Sequence, residues 1–216
     1  MAVQVNFDDI VAARKLLDGV ITHTPMPHSR VLSELVGGPV YLKCENLQRA
    51  GSFKIRGAYV RIARLSAEER ARGVVAASAG NHAQGVALAS KLVGTRATVY
   101  MPEGAPLPKV EATRAYGAQV VLTGQTVDVA LAEAMKYAER TGAVFIHPFD
   151  HPDVVAGQGT LGLEIVDQLP EVGTIVLAIG GGGLAAGVAL AAKTLRPGVR
   201  VVGVQAENAA AFPLSL

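Results

Sequence analysis

Apolar and polar positions change in blocks along most of the chain. Short runs rich in β-branched and small apolar residues read as buried strands at Val74–Ala77, Ala97–Met101, Gln119–Leu122, Ala143–Ile146, Thr174–Ile179 and Arg200–Gln205. Between them lie longer segments with helical spacing, about His82–Val93, Leu107–Tyr116, Val127–Arg140, Asp153–Leu169 and Leu184–Leu195. Gly94, Gly117 and Gly142 stand where three of these helices should stop. Alternation of this kind predicts an α/β fold with mostly parallel sheets covered by helices. The proline-containing stretch Ile146–Asp153 is the best internal boundary, and a second lies near Arg72-Gly73. The strand at Val199–Gln205 is followed by Ala206–Leu216 without a closing element, so the sheet is expected to continue in missing C-terminal sequence.

Composition narrows the partners. The chain has 216 residues, half of them hydrophobic, enough for a sizeable core. Few aromatics and many Gly and Ala suit helices packed closely on sheets. The net charge is only +2 and no basic cluster is interleaved with aromatics, which excludes nucleic acid as the expected partner. The lone Cys44 permits no internal disulfide, fits a reducing compartment and reads as a core residue rather than a nucleophile. The start, Met1 to Asp9, lacks the basic and apolar regions of a signal peptide, so the expected location is cytoplasmic. Val172–Ala192 is uncharged and long enough for a membrane span, but the glycines divide it into a strand and a helix, and no membrane segment is expected. His147 and His151, with Asp150 and Asp153 near, suggest a metal only until Pro148 and Pro152 are counted. These stop one helix from presenting both histidines, so no metal site is expected.

Candidate chemistry concentrates in three patches. In the first, the apolar run from Thr174 ends in Gly180, Gly181, Gly182 and Gly183, and a helix follows from about Leu184. Residues without Cβ let the backbone turn and approach a ligand, and the helix start offers unpaired N–H groups. The loop holds no Arg or Lys, so backbone amides would bind a phosphate there; a loop that only turns the chain is the plainer reading. In the second patch, Glu45–Ala58, Gly51-Ser52 reads as a loop entering a helix with Ser52 as N-cap. Lys54 then falls in the first turn, where the helix dipole and nearby Arg56 lower its pKa. Such a lysine can form a Schiff base, against the alternative of a solvated surface lysine. In the third, Ala76–Gly85, Ser78, Asn81 and loop N–H groups form a second anion site, sized for a carboxylate. His82 reads there as structural or substrate-contacting rather than as a base. A Schiff-base lysine, a phosphate cradle and a carboxylate loop together match pyridoxal phosphate acting on an amino acid.

Glu45–Ala58, Ser78–Gly85, Gly157-Gln-Gly-Thr160 and Gly180–Gly183 together resemble the threonine/serine dehydratases, pyridoxal-phosphate lyases of the tryptophan-synthase-β-like fold, fold type II. Met101–Pro106 and Pro148–Pro152 add to the likeness, which runs from about Phe7 to Phe212. The resemblance implies two three-layer domains. Residues 1–72 and 152–216 would form an incomplete large cofactor domain, and 73–151 a small mobile domain with the substrate loop. It implies that Lys54 holds pyridoxal 5'-phosphate as a Schiff base, with Phe53 beside the ring and Asn81 bonded to the ring's 3-hydroxyl oxygen. Gly180, Gly181, Gly182, Gly183 and the Leu184 N–H would bind the phosphate, and Ser78, Gly80, Asn81 and His82 the substrate carboxylate. The implied reaction is α,β-elimination of water from L-threonine, and from serine, with Lys54 removing the α-proton. Threonine would give 2-oxobutanoate and ammonia. A homo-oligomer is implied as well.

Departures and rivals remain at this point. Related serine racemases carry a second Ser after the position of Ser78; Ala79 cannot exchange a proton, so elimination is expected over racemisation. Some relatives bind a cation near the position of Glu207, but Ala209–Pro213 supplies no second carboxylate and no metal is expected. The residue facing the pyridine nitrogen would lie beyond Leu216. Gly180-x-Gly182-x-x-Ala185, with Glu207 after the next strand, also fits the fingerprint of an NAD(P)-dependent oxidoreductase. A non-catalytic binding module of the same fold is a third reading. Biosynthetic (isoleucine) and catabolic roles are not separated by these residues.

Overall fold

The computed structural model describes residues 4–210. Met1–Val3 of the N-terminal start, and Ala211, Phe212 and Pro213 of the stretch after Glu207, lie outside the described residues. Helix α1 (Phe7–Leu16) opens with a reciprocal cap: the Asn6 side chain accepts from the Asp9 N–H at 3.0 Å, and the Asp9 carboxylate accepts from the Asn6 N–H at 2.9 Å. Helices α2 (Arg30–Val36), α3 (Lys54–Ala63) and α4 (Ala67–Arg72) follow. Apolar periodicity does not mark α2 or α4, because these short helices bury no residue and present no apolar stripe to detect.

Strict alternation begins at β1 (Val74–Ala77) and continues through α5 (Asn81–Val93), β2 (Ala97–Met101), α6 (Leu107–Ala115), β3 (Gln119–Leu122) and α7 (Val127–Thr141). Then come β4 (Val144–Phe145), α8 (Pro152–Gln168), β5 (Thr174–Ala178), α9 (Gly183–Leu195) and β6 (Arg200–Val204). The first three strands coincide with the sequence expectation. The fourth is shorter than Ala143–Ile146, because it is an edge strand matched to β1 only at Val74↔Val144 and Val75↔Phe145. Gly94 and Gly142 close α5 and α7 in the left-handed conformation, as their positions imply.

The strands form two parallel sheets, ordered β3-β2-β1-β4 and β5-β6. Side chains alternate across β1. Val74 and Ala76 pack with α3 and α5 on one face, and Val75 and Ala77 with Ala130 and Ala134 of α7 on the other. This gives helix, sheet and helix layers, and explains why β1 is apolar at every position. The expectation that all strands are buried fails for β3, β5 and β6. β3 is a sheet edge, and the two-stranded sheet leaves Val176 65% exposed. Cys44 also departs from its expected place in the core. It is half-buried in a loop and its Sγ donates to the Leu42 carbonyl at 3.2 Å.

Small residues bring the helices of the second layer together. A Cβ on Gly157 would sit 2.6 Å from the Arg56 carbonyl oxygen, and one on Gly162 would sit 2.9 Å from the Val188 carbonyl oxygen. The Gly and Ala richness of the chain is therefore a packing requirement of α3, α8 and α9. Among the described residues, no helix is long and apolar enough to cross a membrane.

Candidate active site

Lys54 is the first residue of α3, as expected, but the cap differs. Phe53 is the N-cap and makes no side-chain cap bond, while Ser52, one residue earlier, is buried with its Oγ 3.4 Å from the Lys54 N–H. The Lys54 Nζ donates to the Pro148 carbonyl at 2.8 Å and lies 5.4 Å from the Phe53 ring centre. Burial lowers its pKa from the usual 10.5 to about 8.

Arg56 is not the cause of that shift. Two residues on, roughly 200° further round the helix, it is itself fully buried and points into a charge network with Glu45 and Glu164. Its guanidinium bonds both Glu45 oxygens at 2.8 Å and Glu164 at 2.6 and 3.1 Å. Lys43 closes the network on Glu164 at 2.6 Å. Two cations thus face two carboxylates. Burial disfavours the charged Arg56, but hydrogen bonds to Glu45 and Glu164 outweigh it and hold its pKa above the ordinary value.

Strand β5 delivers the glycine loop to the same place. Gly182 caps α9 with φ +90°, a left-handed conformation that glycine adopts without strain, and no side chain occupies the cap. The first helical bond runs from the Ala186 N–H to the Gly182 carbonyl at 2.9 Å, so the N–H groups of Gly183, Leu184 and Ala185 have no intrahelical partner. A Cβ on Gly181 would collide with the Phe149 ring, and one on Gly183 would lie 2.7 Å from the Phe149 carbonyl oxygen. The loop can therefore be built only from glycine there, with Pro148 and Phe149 laid over it.

A cavity of about 180 Å³ joins these parts, lined by Phe53, Lys54, Pro148, Phe149, Gln158, Ala178, Gly180 to Gly183, Leu184 and Ala185. An amine that can react with an aldehyde thus shares one cavity with an anion-binding helix start. The buried, unpartnered Oε1 of Gln158 shows that the cavity wall is polar as well. These residues fit pyridoxal phosphate. A larger hollow of about 300 Å³ between α5 and α6 is lined mostly by Ala, Gly, Ser and Thr, with one lysine, and assembles no comparable chemistry.

The substrate-loop residues Ser78, Gly80, Asn81 and His82 follow β1 and do not line that cavity. Ser78 Oγ accepts from the Gly80 N–H at 3.1 Å and shapes the loop. Asn81 is exposed; its Oδ1 accepts from Lys109 Nζ at 2.8 Å, and Lys109 also reaches Gln84 Oε1 at 3.0 Å. With Oδ1 engaged by a cation, the Asn81 amide presents N–H as its free end. One turn on, Gly85 lets α5 lie against Lys54: a Cβ there would be 3.1 Å from the Lys54 carbonyl carbon. The His82 ring turns inward, with Nε2 2.9 Å from the Ile146 carbonyl oxygen, and burial drives its pKa down to about 3. It can offer a ligand only its backbone N–H.

Pro148, Phe149, Gln158 and Lys109 carry no role in the sequence reading. Pro148–Pro152 and Gly157–Thr160 were visible as motifs, but their functions depend on contacts made across the fold. His147 and His151 both shape the loop through their Nδ1 atoms. His147 Nδ1 accepts from the Asp150 N–H at 2.7 Å, and His151 Nδ1 caps α8 through the Asp153 N–H at 3.1 Å. Among the described residues, no cluster could ligate a metal. Glu207 sits in a short 3-10 turn beyond β6. The NAD(P) alternative gives no role to Lys54 inside the glycine-loop cavity.

Many known proteins are similar to this chain. L-threonine ammonia-lyase of Thermotoga maritima is 55% identical over 212 residues, covering 98% of this chain and 53% of that protein. The processed form of threonine deaminase isoform 2 from Solanum lycopersicum superposes with a TM-score of 0.90 at 40% identity, over 100% of this chain and 61% of that one. Maize serine racemase gives a TM-score of 0.89, also at 40% identity, over 92% and 60% of the two chains. The chain spans between 49% and 62% of the length of the first curated relatives it matches. The model of the family described as pyridoxal-phosphate dependent enzyme matches residues 17–216. By that family match, and by its likeness to these relatives, the chain belongs to the pyridoxal-phosphate dependent enzymes.

Proposed function

We propose that this chain forms the cofactor-binding part of a threonine dehydratase that deaminates L-threonine, and also serine, to a 2-oxo acid and ammonia. The observation that carries this reading is the single cavity shared by Lys54 and the start of α9. The relatives named for threonine deamination support the substrate class. Ala79 argues against racemisation, because a methyl group cannot return a proton to the opposite face of the substrate.

When bound, pyridoxal phosphate supplies an aldehyde for Lys54 and a conjugated ring that accepts electrons from the substrate. Lys54 Nζ, a larger fraction of which burial keeps neutral near pH 7, takes the substrate's α-proton. The unpaired N–H groups of α9 and the glycine loop hold the phosphate. Asn81, its Oδ1 engaged by Lys109, would offer its N–H to the ring's 3-oxygen. Ser78 and the first-turn N–H groups of α5 receive the substrate carboxylate, and Pro148 with Phe149 shields the cavity from water. We read residues 73–151 as the small domain that carries this loop, and 1–72 with 152–216 as part of the large one. We further read the protein as a cytoplasmic homo-oligomer.

The test is formation of 2-oxobutanoate from L-threonine by the protein supplied with pyridoxal phosphate, with borohydride trapping of the cofactor in parallel. A pyridoxyl group on the Lys54 peptide without any 2-oxobutanoate would refute the substrate while leaving the cofactor site intact.

The lowered Lys54 pKa also sets a pH profile. Only the neutral amine attacks a carbonyl, so the rate of cofactor capture should rise about tenfold per unit below pH 8 and level off above about 8. An exposed lysine would keep gaining towards 10.5. Stopped-flow absorbance across pH 6 to 10 distinguishes the two, and a rise that continues past pH 9.5 refutes the buried-amine account.

A further inference from the structure

The Gly157-Gln-Gly-Thr160 motif contains a side chain with no role so far. Gln158 is 1% exposed, its Oε1 is buried without a hydrogen-bond partner, and no described protein atom pairs with its Nε2. Leaving both ends of a primary amide unpaired in a packed core is unfavourable, and native structures do so rarely. The neighbours nonetheless make room for it. A Cβ on Gly57 would lie 2.5 Å from Gln158 Nε2, so α3 gives up a side chain where this amide sits.

The position of the amide indicates its partner. Gln158 lines the cavity that also holds Lys54 and the start of α9. Helices α8 and α9 run in the same direction, with Gly159 against Gly187 and Gly162 against Ala191. A helical side chain leans toward the N-terminus of its own helix. Gln158 therefore leans toward the level at which α9 presents its unpaired N–H groups. A half-turn about the terminal bond exchanges Oε1 and Nε2, so either position of the amide can present N–H.

We propose that Gln158 is a side-chain ligand of the cofactor's phosphate, donating from Nε2 beside the backbone N–H groups of α9. The assignment rests on the cofactor site proposed above and adds a group to it. A neutral amide suits this place. It supplies a donor that the glycine loop lacks, without setting a second positive charge beside Lys54.

The experiment compares pyridoxal phosphate with pyridoxal, which has the same aldehyde and no phosphate. Dissociation constants for both are taken from the absorbance change of the full chain and of two variants. Gln158→Met keeps the length and removes both polar atoms; Gln158→Glu keeps the shape and replaces the donor with a carboxyl group. Loss of one hydrogen bond to an anion should weaken pyridoxal phosphate about tenfold in Gln158→Met, and more in Gln158→Glu, with pyridoxal binding unchanged. Equal weakening of both ligands, or none, overturns the role of Gln158 and leaves the phosphate cradle standing. If the unsubstituted protein itself does not prefer pyridoxal phosphate, the cradle fails and this assignment fails with it. Should Gln158→Met not fold, the same criteria apply to Gln158→Glu.

Discussion

Lys54→Ala protein is expected to fold normally, to take no borohydride-stable pyridoxyl group, and to lose threonine turnover by at least about a thousandfold. Lys54 is the only lysine lining the cavity, so no neighbour can replace it as nucleophile or as base. The fold is indifferent to the change, because α3 is anchored by the buried Ile55, Ala58, Val60 and Ile62. The amine's one bond is to the Pro148 carbonyl, at the cavity's edge. Mass mapping after borohydride, with thermal melting as the control, reads both halves of the expectation. Turnover within tenfold of the parent, or a pyridoxyl group on another lysine, would remove Lys54 from the mechanism.

Arg56→Met should cost about 3–5 kcal/mol of stability. Methionine fills similar volume but leaves Glu45 and Glu164 inside the protein, with Lys43 bonded to Glu164 and no cation bonded to Glu45 among the described residues. An uncompensated buried carboxylate, not the loss of a favourable pair, supplies the penalty. Arg56→Lys should recover little, since one ammonium cannot bond both carboxylates in two-point fashion. The same network makes acid destabilising. Burial raises the Glu164 pKa, but bonds to Arg56 and Lys43 outweigh this and hold it below 4.5. Its contribution is therefore complete above 4.5 and lost as pH falls through the lower folded value. Urea denaturation of parent and variant gives the difference directly. A shift under about 1 kcal/mol, typical of an exposed pair, would refute the buried-network account.

Local pattern carried the architecture a long way. The limits of β1, β2 and β3 follow from apolar runs ended by small or polar residues, and α5 and α7 stop at glycines because only glycine turns the chain there cheaply. Lys54 and Gly180–Leu184, which share one cavity, were legible because an anion-binding helix start and a lysine at another helix start each leave a local signature, whereas Phe53 was named only through the family resemblance. Exposure was less legible. An apolar run looks the same in a central strand and in β5, and sheet order decides which of them is covered.

What the sequence determined by itself was therefore the order of elements and the residue types able to do the chemistry. These depend on backbone preference and on spacing within a few positions. The tertiary structure decided how each group behaves. Arg56 looks like a charge that perturbs Lys54, until Glu164 arrives from 108 positions away to neutralise it with Glu45. His82 reads as either structural or substrate-contacting, and it is the Ile146 carbonyl, 64 positions on, that engages its ring. Gln158 is one polar letter in a glycine motif until α3 and α9 close around it and leave its amide without a protein partner. Charge, protonation and hydrogen-bond demand are set by neighbours in space, and those neighbours are distant in sequence.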